Sequence, residues 1–398
     1  MSYNFTELPD RRNSGAFKYL DMYRKKPDVG DDIVPFSTAD MEFENAPEIV
    51  EGLKNYLDNN VLGYTEPPEG FYDAIVSWME RRHQYKVQKE WIVVSDGVVP
   101  ALGDLIRSNS EKGDGVIITS PVYYPFKGSI EMNERRVVDV PLICRDGRYQ
   151  MDYEALEKAA ADPKNKLLIF CNPHNPVGRV WTGEELEKLL DICIRNQVYI
   201  LDDEIHHDLI MPGYTHTVLA NVRPDAGKYM AVCTAPSKSF NLAGMQTSAI
   251  IIACPERRKA FEESRMKGFR MMLNVLGYEA CRLAYTQAEK WLDCCIQVIN
   301  ENARFMEKFF AENMPEVKVY PLEGTYLLWA DFRAWGLSAK ELEDFMIKEA
   351  ELFTDEGYIF GETGEGYERF NIACPGYVLQ DAMKRLLDAR NRFLSIEK

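Results

Sequence analysis

Short runs of apolar, often β-branched residues recur along the chain. They are separated by longer stretches in which apolar positions return every three to four residues. The runs Trp91–Ser95, Val116–Thr119, Arg136–Val140, Leu167–Cys171, Val198–Asp202, Met230–Thr234 and Ala249–Ala253 read as strands. Most are apolar throughout instead of alternating, which suits strands covered on both faces. Met151–Ala161 and Gly183–Asn196 read as helices, and the second opens on Thr182-x-x-Glu185, a reciprocal capping pattern. Strand alternating with helix predicts an α/β fold: a large domain with a mostly parallel seven-stranded sheet sandwiched by helices.

Past about residue 285 the rhythm changes. A long helical stretch, Ala288–Asn313, is followed by strand-like Val317–Tyr320, Tyr326–Asp331 and Arg369–Ala373 and by two more helices, a pattern that predicts a smaller α+β domain. The first 45 or so residues are rich in turns and charge and show no such rhythm. They are expected to pack on the small domain or on a partner subunit. The expected division is 1–47 (N-terminal segment), 48–287 (large domain) and 288–398 (small domain).

Composition narrows the function classes. With 398 residues the chain can bury a large core without disulfides or structural metal. A net charge of −16 repels phosphate backbones and anionic lipids, so no nucleic acid and no membrane partner is expected. The nine cysteines are scattered and form no C-x-x-C, as free thiols in a reducing compartment would. No run approaches the roughly 18 apolar residues of a membrane helix. The opening MSYNFTELPDRR has no apolar signal core, so a cytoplasmic location is expected.

Several chemistries lack their residues. The histidines show no H-E-x-x-H or zinc spacing, and there is no nucleophile elbow or Walker loop. Gly361-x-x-Gly364-x-Gly366 has the wrong spacing for a dinucleotide loop and reads as a turn. What remains lies at the carboxyl ends of the strands, where open α/β sheets bind ligands. Ser95-Asp96-Gly97-Val98-Val99 runs from a strand through glycine into a helix, a phosphate-binding geometry or a plain turn. Asp202-Asp203-Glu204 ends a buried strand, where a carboxylate needs a partner: a cationic ring nitrogen, a helix cap or a salt bridge. Thr234-Ala-Pro-Ser-Lys238-Ser-Phe240 sets a lysine among small hydroxyl residues, as a Schiff-base lysine, a solvated side chain or one half of a Ser237/Lys238 hydrolase.

These features, in this order and spacing, resemble the fold-type I pyridoxal phosphate enzymes, the aspartate aminotransferase superfamily. Asn172-Pro-His-Asn175-Pro-Val-Gly178 is similar to the N-P-x-G turn of that superfamily, and Arg369-Phe-Asn-Ile-Ala stands where it has a substrate-carboxylate arginine. Ser37-Thr-Ala-Asp-Met-Glu-Phe43, Ser120-Pro-Val-Tyr-Tyr-Pro125, Asp203-Glu-Ile-His206 and Ala235-Pro-Ser-Lys-Ser-Phe-Asn241 resemble the cystathionine β-lyase/cystalysin group of carbon–sulfur lyases. The resemblance implies pyridoxal 5′-phosphate held by Lys238, which also serves as general base on the substrate Cα. It implies Asp203 at the ring nitrogen, Asn175 at the ring 3′ oxygen, and Tyr123 stacked on the ring, with Tyr124 able to exchange roles. The phosphate would be met by the backbone of Gly97, Val98 and Val99, by the Ser237 and Thr234 hydroxyls, and by Tyr64 across the interface of a homodimer. Arg369, with Asn175 and Tyr124, would hold a small-molecule amino-acid substrate.

Two positions depart from the aminotransferase pattern. His206 replaces a tyrosine three residues after the aspartate, as in the lyase group, and joins the implied cofactor set. Gln246 replaces a phosphate-gripping arginine, so weaker cofactor affinity is expected. The implied activity is elimination from a sulfur-bearing L-amino acid to pyruvate, ammonia and a thiol. An aminotransferase, and a regulatory or binding protein retaining the cofactor fold, remain alternatives.

Overall fold

The computed structural model describes residues 3–268 and 272–396. Its main sheet has seven strands: β1 (Ile92–Ser95), β2 (Gly115–Ile118), β3 (Arg136–Asp139), β4 (Asn165–Cys171), β5 (Tyr199–Asp203), β6 (Met230–Thr234) and β7 (Ser248–Ile251). Their spatial order is β1-β7-β6-β5-β4-β2-β3. β7 runs antiparallel to both neighbours and every other pairing is parallel. All seven sequence-predicted strands are present, displaced by one or two residues at most ends.

The apolar runs exist because this sheet is covered on both sides. Along β4 to β6, Leu168, Phe170, Ile200 and Val232 face one apolar layer, while Leu167, Ile169, Leu201 and Cys233 face the other. The helix Gly183–Arg195 packs Leu186, Leu189 and Leu190 into the first layer. The helix Val98–Asn109 packs Val98, Leu102 and Leu105 into the second. Both reciprocal bonds of the Thr182/Glu185 cap form, at 3.3 and 2.8 Å. β3, at the sheet edge, is half exposed.

The second sheet is antiparallel, with β8 (Lys318–Val319), β9 (Leu327–Asp331), β10 (Asp355–Glu356) and β11 (Tyr367–Asn371) in the order β8-β9-β11-β10. The helix Glu289–Asn313 is tied to the chain following β11 by Asn302, which donates to the carbonyls of Ile372 and Cys374. The early segment contains a helix, Phe17–Lys25, whose Tyr19 and Met22 meet Ile347 and Phe353. Phe36 then bonds Phe353 and Asn371 through its backbone, both at 2.8 Å. A two-stranded hairpin, Ile143–Arg145 with Arg148–Gln150, was not anticipated. It turns at Asp146 and Gly147, both with positive φ, the conformation that Asp-Gly turns favour.

Candidate active site

The parallel register brings Cys171, Asp203 and Cys233 level at the carboxyl ends of β4, β5 and β6. A cavity of about 200 Å³ opens there. Its walls come from four places: the start of the Val98–Asn109 helix, Tyr123 and Asn175, the Asp203–His206 stretch, and the segment from Ser237 to Thr247, with Ala39 closing one side.

Gly97 makes the first wall possible. Its φ of 148° turns the chain from β1 into the helix, and a Cβ there would sit 3.3 Å from Pro100 Cδ. The backbone N–H groups of Val98 and Val99 then belong to the first helical turn, which has no preceding turn to accept them. Val98 and Val99 line the cavity, so the positive end of the helix dipole lies at its wall.

Lys238 follows β6 on a one-turn helix, Pro236–Ser239. Its Nζ donates to the Ala39 carbonyl at 2.7 Å, not to Ser237. Desolvation brings its pKa down to about 8; the Arg369 charge works in the same direction, and Asp40 and Asp203 oppose them. Asp203 is buried, and its Oδ1 accepts the Ile205 N–H at 3.1 Å. Burial pushes its pKa up to about 7, although Ile205 and the Lys238 charge pull it back. A carboxylate in that state, facing a cavity, favours a cation arriving opposite it.

Strand pleat separates the three acids of Asp202-Asp203-Glu204. Asp203 points to the cavity side with Leu201, and its neighbours point to the opposite face. There burial, with the Glu204 and Asp203 charges, pushes the Asp202 pKa well above the ordinary carboxylate value. Glu204 stays ionised despite burial because His216 and His207 face it. His216 Nε2 lies 3.2 Å from Glu204, and Asp208 accepts from Trp78 and Ser239 and lies 2.7 Å from His83 Nε2. Nothing in the sequence signalled this network, because its members are brought together from distant positions.

Thr234 corrects an expectation. Its hydroxyl is 3.0 Å from His207 Nε2 on the network side of β6, so it is not a phosphate donor in the cavity. Ser237 does line the cavity, and so do Gln246 and Thr247. His206 is buried against the cavity, its ring 5.7 Å from that of Tyr326, and its Nδ1 has no hydrogen-bond partner among the described residues. Burial and the Lys238 and Arg369 charges keep it neutral.

Tyr123 and Tyr124 part company. Tyr123 lines the cavity, donates its N–H to the Asn175 carbonyl at 3.1 Å and has its hydroxyl pKa raised by burial. Tyr124 is 47% exposed and lies outside it, its ring 5.6 Å from that of Tyr123. The exchange of roles is therefore not supported. Arg369, on β11, reaches over from the small sheet: Nη1 donates to Asn175 Oδ1 at 2.9 Å, and Nη2 is hydrogen-bonded to Asp355 Oδ2. Tyr64 is 98% exposed, and a single chain does not bring it to the cavity. Ala39, whose carbonyl also accepts the Tyr326 hydroxyl at 2.8 Å, was missed, since a backbone acceptor leaves no residue-type signal.

A family model described as "Aminotransferase class I and II" matches residues 31–386. A cystathionine β-lyase, PatB, of Bacillus subtilis is 40% identical over 355 residues, covering 89% of this chain and 92% of that protein. The crystal structure of cystalysin from Treponema denticola, which contains a pyridoxal 5′-phosphate cofactor, superimposes with a TM-score of 0.98 at 48% identity, over 99% of this chain and 100% of that one. A pyridoxal phosphate-bound C–S lyase from Staphylococcus hominis gives 0.90 at 30% identity, over 98% of both chains.

Proposed function

The chain belongs to the class I and II aminotransferase family of fold-type I pyridoxal phosphate enzymes, and on that footing we propose that it is a carbon–sulfur β-lyase acting on L-amino acids that carry sulfur at Cβ. The observation that carries the reading is one cavity holding an amine and a carboxylate, each with its ionisation displaced by burial, at the start of a helix.

The residues fit the cofactor. Asp203 faces the cavity with no hydrogen-bond donor but the Ile205 N–H among the described residues, and would meet a protonated ring nitrogen. The N–H groups of Val98 and Val99 would meet a phosphate, with Ser237 adding a hydroxyl. Tyr123 offers a ring face and Asn175 an amide. With Gln246 where an arginine would add charge, the phosphate is left mainly to neutral donors. When bound, pyridoxal phosphate supplies an aldehyde that takes an amine covalently and a cationic ring that accepts the electrons of a broken C–H bond.

This chain's residues do the rest. With a pKa near 8, about a tenth of Lys238 is neutral at pH 7, far more than for a solvated lysine. That amine takes the Cα proton. Arg369 and Asn175 hold the α-carboxylate and fix the Cα–H bond relative to Lys238. Loss of the Cα proton and the Cβ–S bond, then hydrolysis, gives pyruvate, ammonia and a thiol. Lys238 donates to the Ala39 carbonyl and not to Ser237, which argues against a Ser/Lys hydrolase.

The test is release of pyruvate from cystathionine or a cysteine S-conjugate by the loaded enzyme. Brisk amino-group exchange with a 2-oxo acid and no pyruvate would replace this reading with an aminotransferase, which the family description favours. The same proposal includes a cytoplasmic homodimer in which Tyr64 serves the partner's cavity. Its support is the nine free cysteines and the exposed run Val61, Leu62 and Tyr64. It also includes the three-part division 1–47, 48–287 and 288–398, supported by the backbone bonds of Phe36 to Phe353 and Asn371.

A further inference from the structure

Arg369 is 2% exposed, and a guanidinium so far from water is costly unless neutralised. Its neutraliser is built in. β10 pairs with β11 so that Asp355 stands directly opposite Arg369, which puts the two side chains on one face of the sheet. Asp355 Oδ2 accepts from Arg369 Nη2, while Nη1 is committed to Asn175. Both terminal nitrogens, the pair with which a guanidinium grips a carboxylate, are therefore engaged. The Nε has no partner among the described residues.

Asp355 has a second anchor. The same Oδ2 accepts the Thr38 N–H at 2.9 Å. Thr38 holds a φ of 58°, a left-handed conformation that is unusual for a β-branched residue. Asp355 can thus give up the arginine and still keep a donor. It is also the more solvent-facing partner, with 14% of its side chain exposed, and its charge reaches Tyr124.

We propose that Asp355 is a positioning residue that stands in for the substrate: it occupies the carboxylate arm of Arg369 when no amino acid is bound, and an incoming α-carboxylate must displace it. The inference rests on the reading of Arg369 as the carboxylate anchor. Asp355 holds the arginine in register between turnovers, and it lowers affinity for every amino-acid substrate by the strength of the bond that must be exchanged. It has no such effect on an amine without a carboxylate.

The experiment uses the holoenzyme, wild type and Asp355→Asn, and follows the visible absorbance of the bound cofactor. One titrant is L-alanine, which has no thiol to expel. The other is ethylamine, which is alanine without its carboxylate. The expected result is a dissociation constant for L-alanine about fivefold lower in the variant, the upper end for an ion pair with one partner near the surface, and an unchanged constant for ethylamine. An L-alanine constant that stays the same or rises, or equal tightening of both titrants, overturns the proposal. Asp355→Ser, read the same way, serves if Asp355→Asn does not fold. Because the readout is binding, wild-type enzyme that prefers L-alanine to ethylamine but makes no pyruvate would sink the lyase reading and leave this test intact. Wild-type enzyme that binds the two alike would remove the carboxylate anchor and the proposal with it.

Discussion

Asp203 is placed for a cation, and the cofactor-free protein carries the cost of that placement. Its pKa stands at about 7 against an ordinary 3.8, with burial as the main cause. A group whose folded pKa lies above its unfolded one keeps its proton longer in the folded state. Stability is therefore unaffected below about pH 4, falls as pH rises from there to about 7, and stays reduced above it. Roughly three pKa units at 1.36 kcal/mol each amount to about 4 kcal/mol at pH 8. Asp203→Asn removes the charge and keeps an oxygen for the Ile205 N–H, so the cofactor-free variant should be more stable than wild type by up to that amount. With an unfolding entropy of about 2.1 cal/mol/K per residue, this is a melting temperature about 5 °C higher at pH 8, shrinking toward zero at pH 4. The same variant should lose about 10³-fold in pyruvate formation, the rate equivalent of the same energy, because a neutral amide does not hold the ring nitrogen's proton. Scanning calorimetry of both cofactor-free proteins from pH 4 to 8, beside a pyruvate assay of the loaded ones, checks both halves. A variant no more stable than wild type at pH 8, or a gain that does not depend on pH, would refute the assignment of a frustrated carboxylate facing the cavity.

Lys238→Ala should abolish pyruvate formation by at least about 10³-fold, as loss of nucleophile and base together requires, while any binding of a macromolecular partner survives; parallel activity and pull-down measurements separate enzyme from binding protein. Capture of added pyridoxal phosphate by cofactor-free protein should accelerate as pH rises toward 8 and then level off, because only the neutral amine attacks; stopped-flow absorbance that keeps climbing tenfold per pH unit to pH 10 would show an ordinary lysine. In solution the protein should have twice its 45.8 kDa chain mass, and Tyr64→Ala should weaken cofactor retention without lowering single-chain stability, since the residue is almost fully exposed; light scattering and dialysis of the holoenzyme measure the two.

The large sheet was legible because strands buried on both faces need continuous apolar runs, and few other elements produce them. The hairpin Ile143–Gln150 escaped because its arms are three residues long and only Tyr149 among them is buried, although Asp146-Gly147 marked its turn. The Phe17–Lys25 helix has no side-chain cap at Ala16 and few buried residues, so its pattern was faint. In the site, Lys238, Asp203 and Gly97 were legible because they stand at or just past the ends of buried strands, where a charged residue or a glycine stands out. Thr234 was misassigned for a reason visible in hindsight: it shares pleat parity with Val232, on the face away from the cavity. The Arg369–Asp355 pairing depends on a cross-strand register between two short strands, which local sequence does not specify.

The alternation along β5 has a consequence for how this chain can change. Asp202 and Asp203 are identical residues one step apart, yet one has its pKa pushed well up by burial beside Glu204 on one face of the sheet while the other looks into the cavity with Lys238. Slipping the strand by a single position would exchange their surroundings without altering the composition of the site at all. An insertion or deletion between Tyr199 and Asp203 should therefore be as damaging as substituting the aspartate itself. The chemistry is addressed by counting residues, and the sheet does the counting.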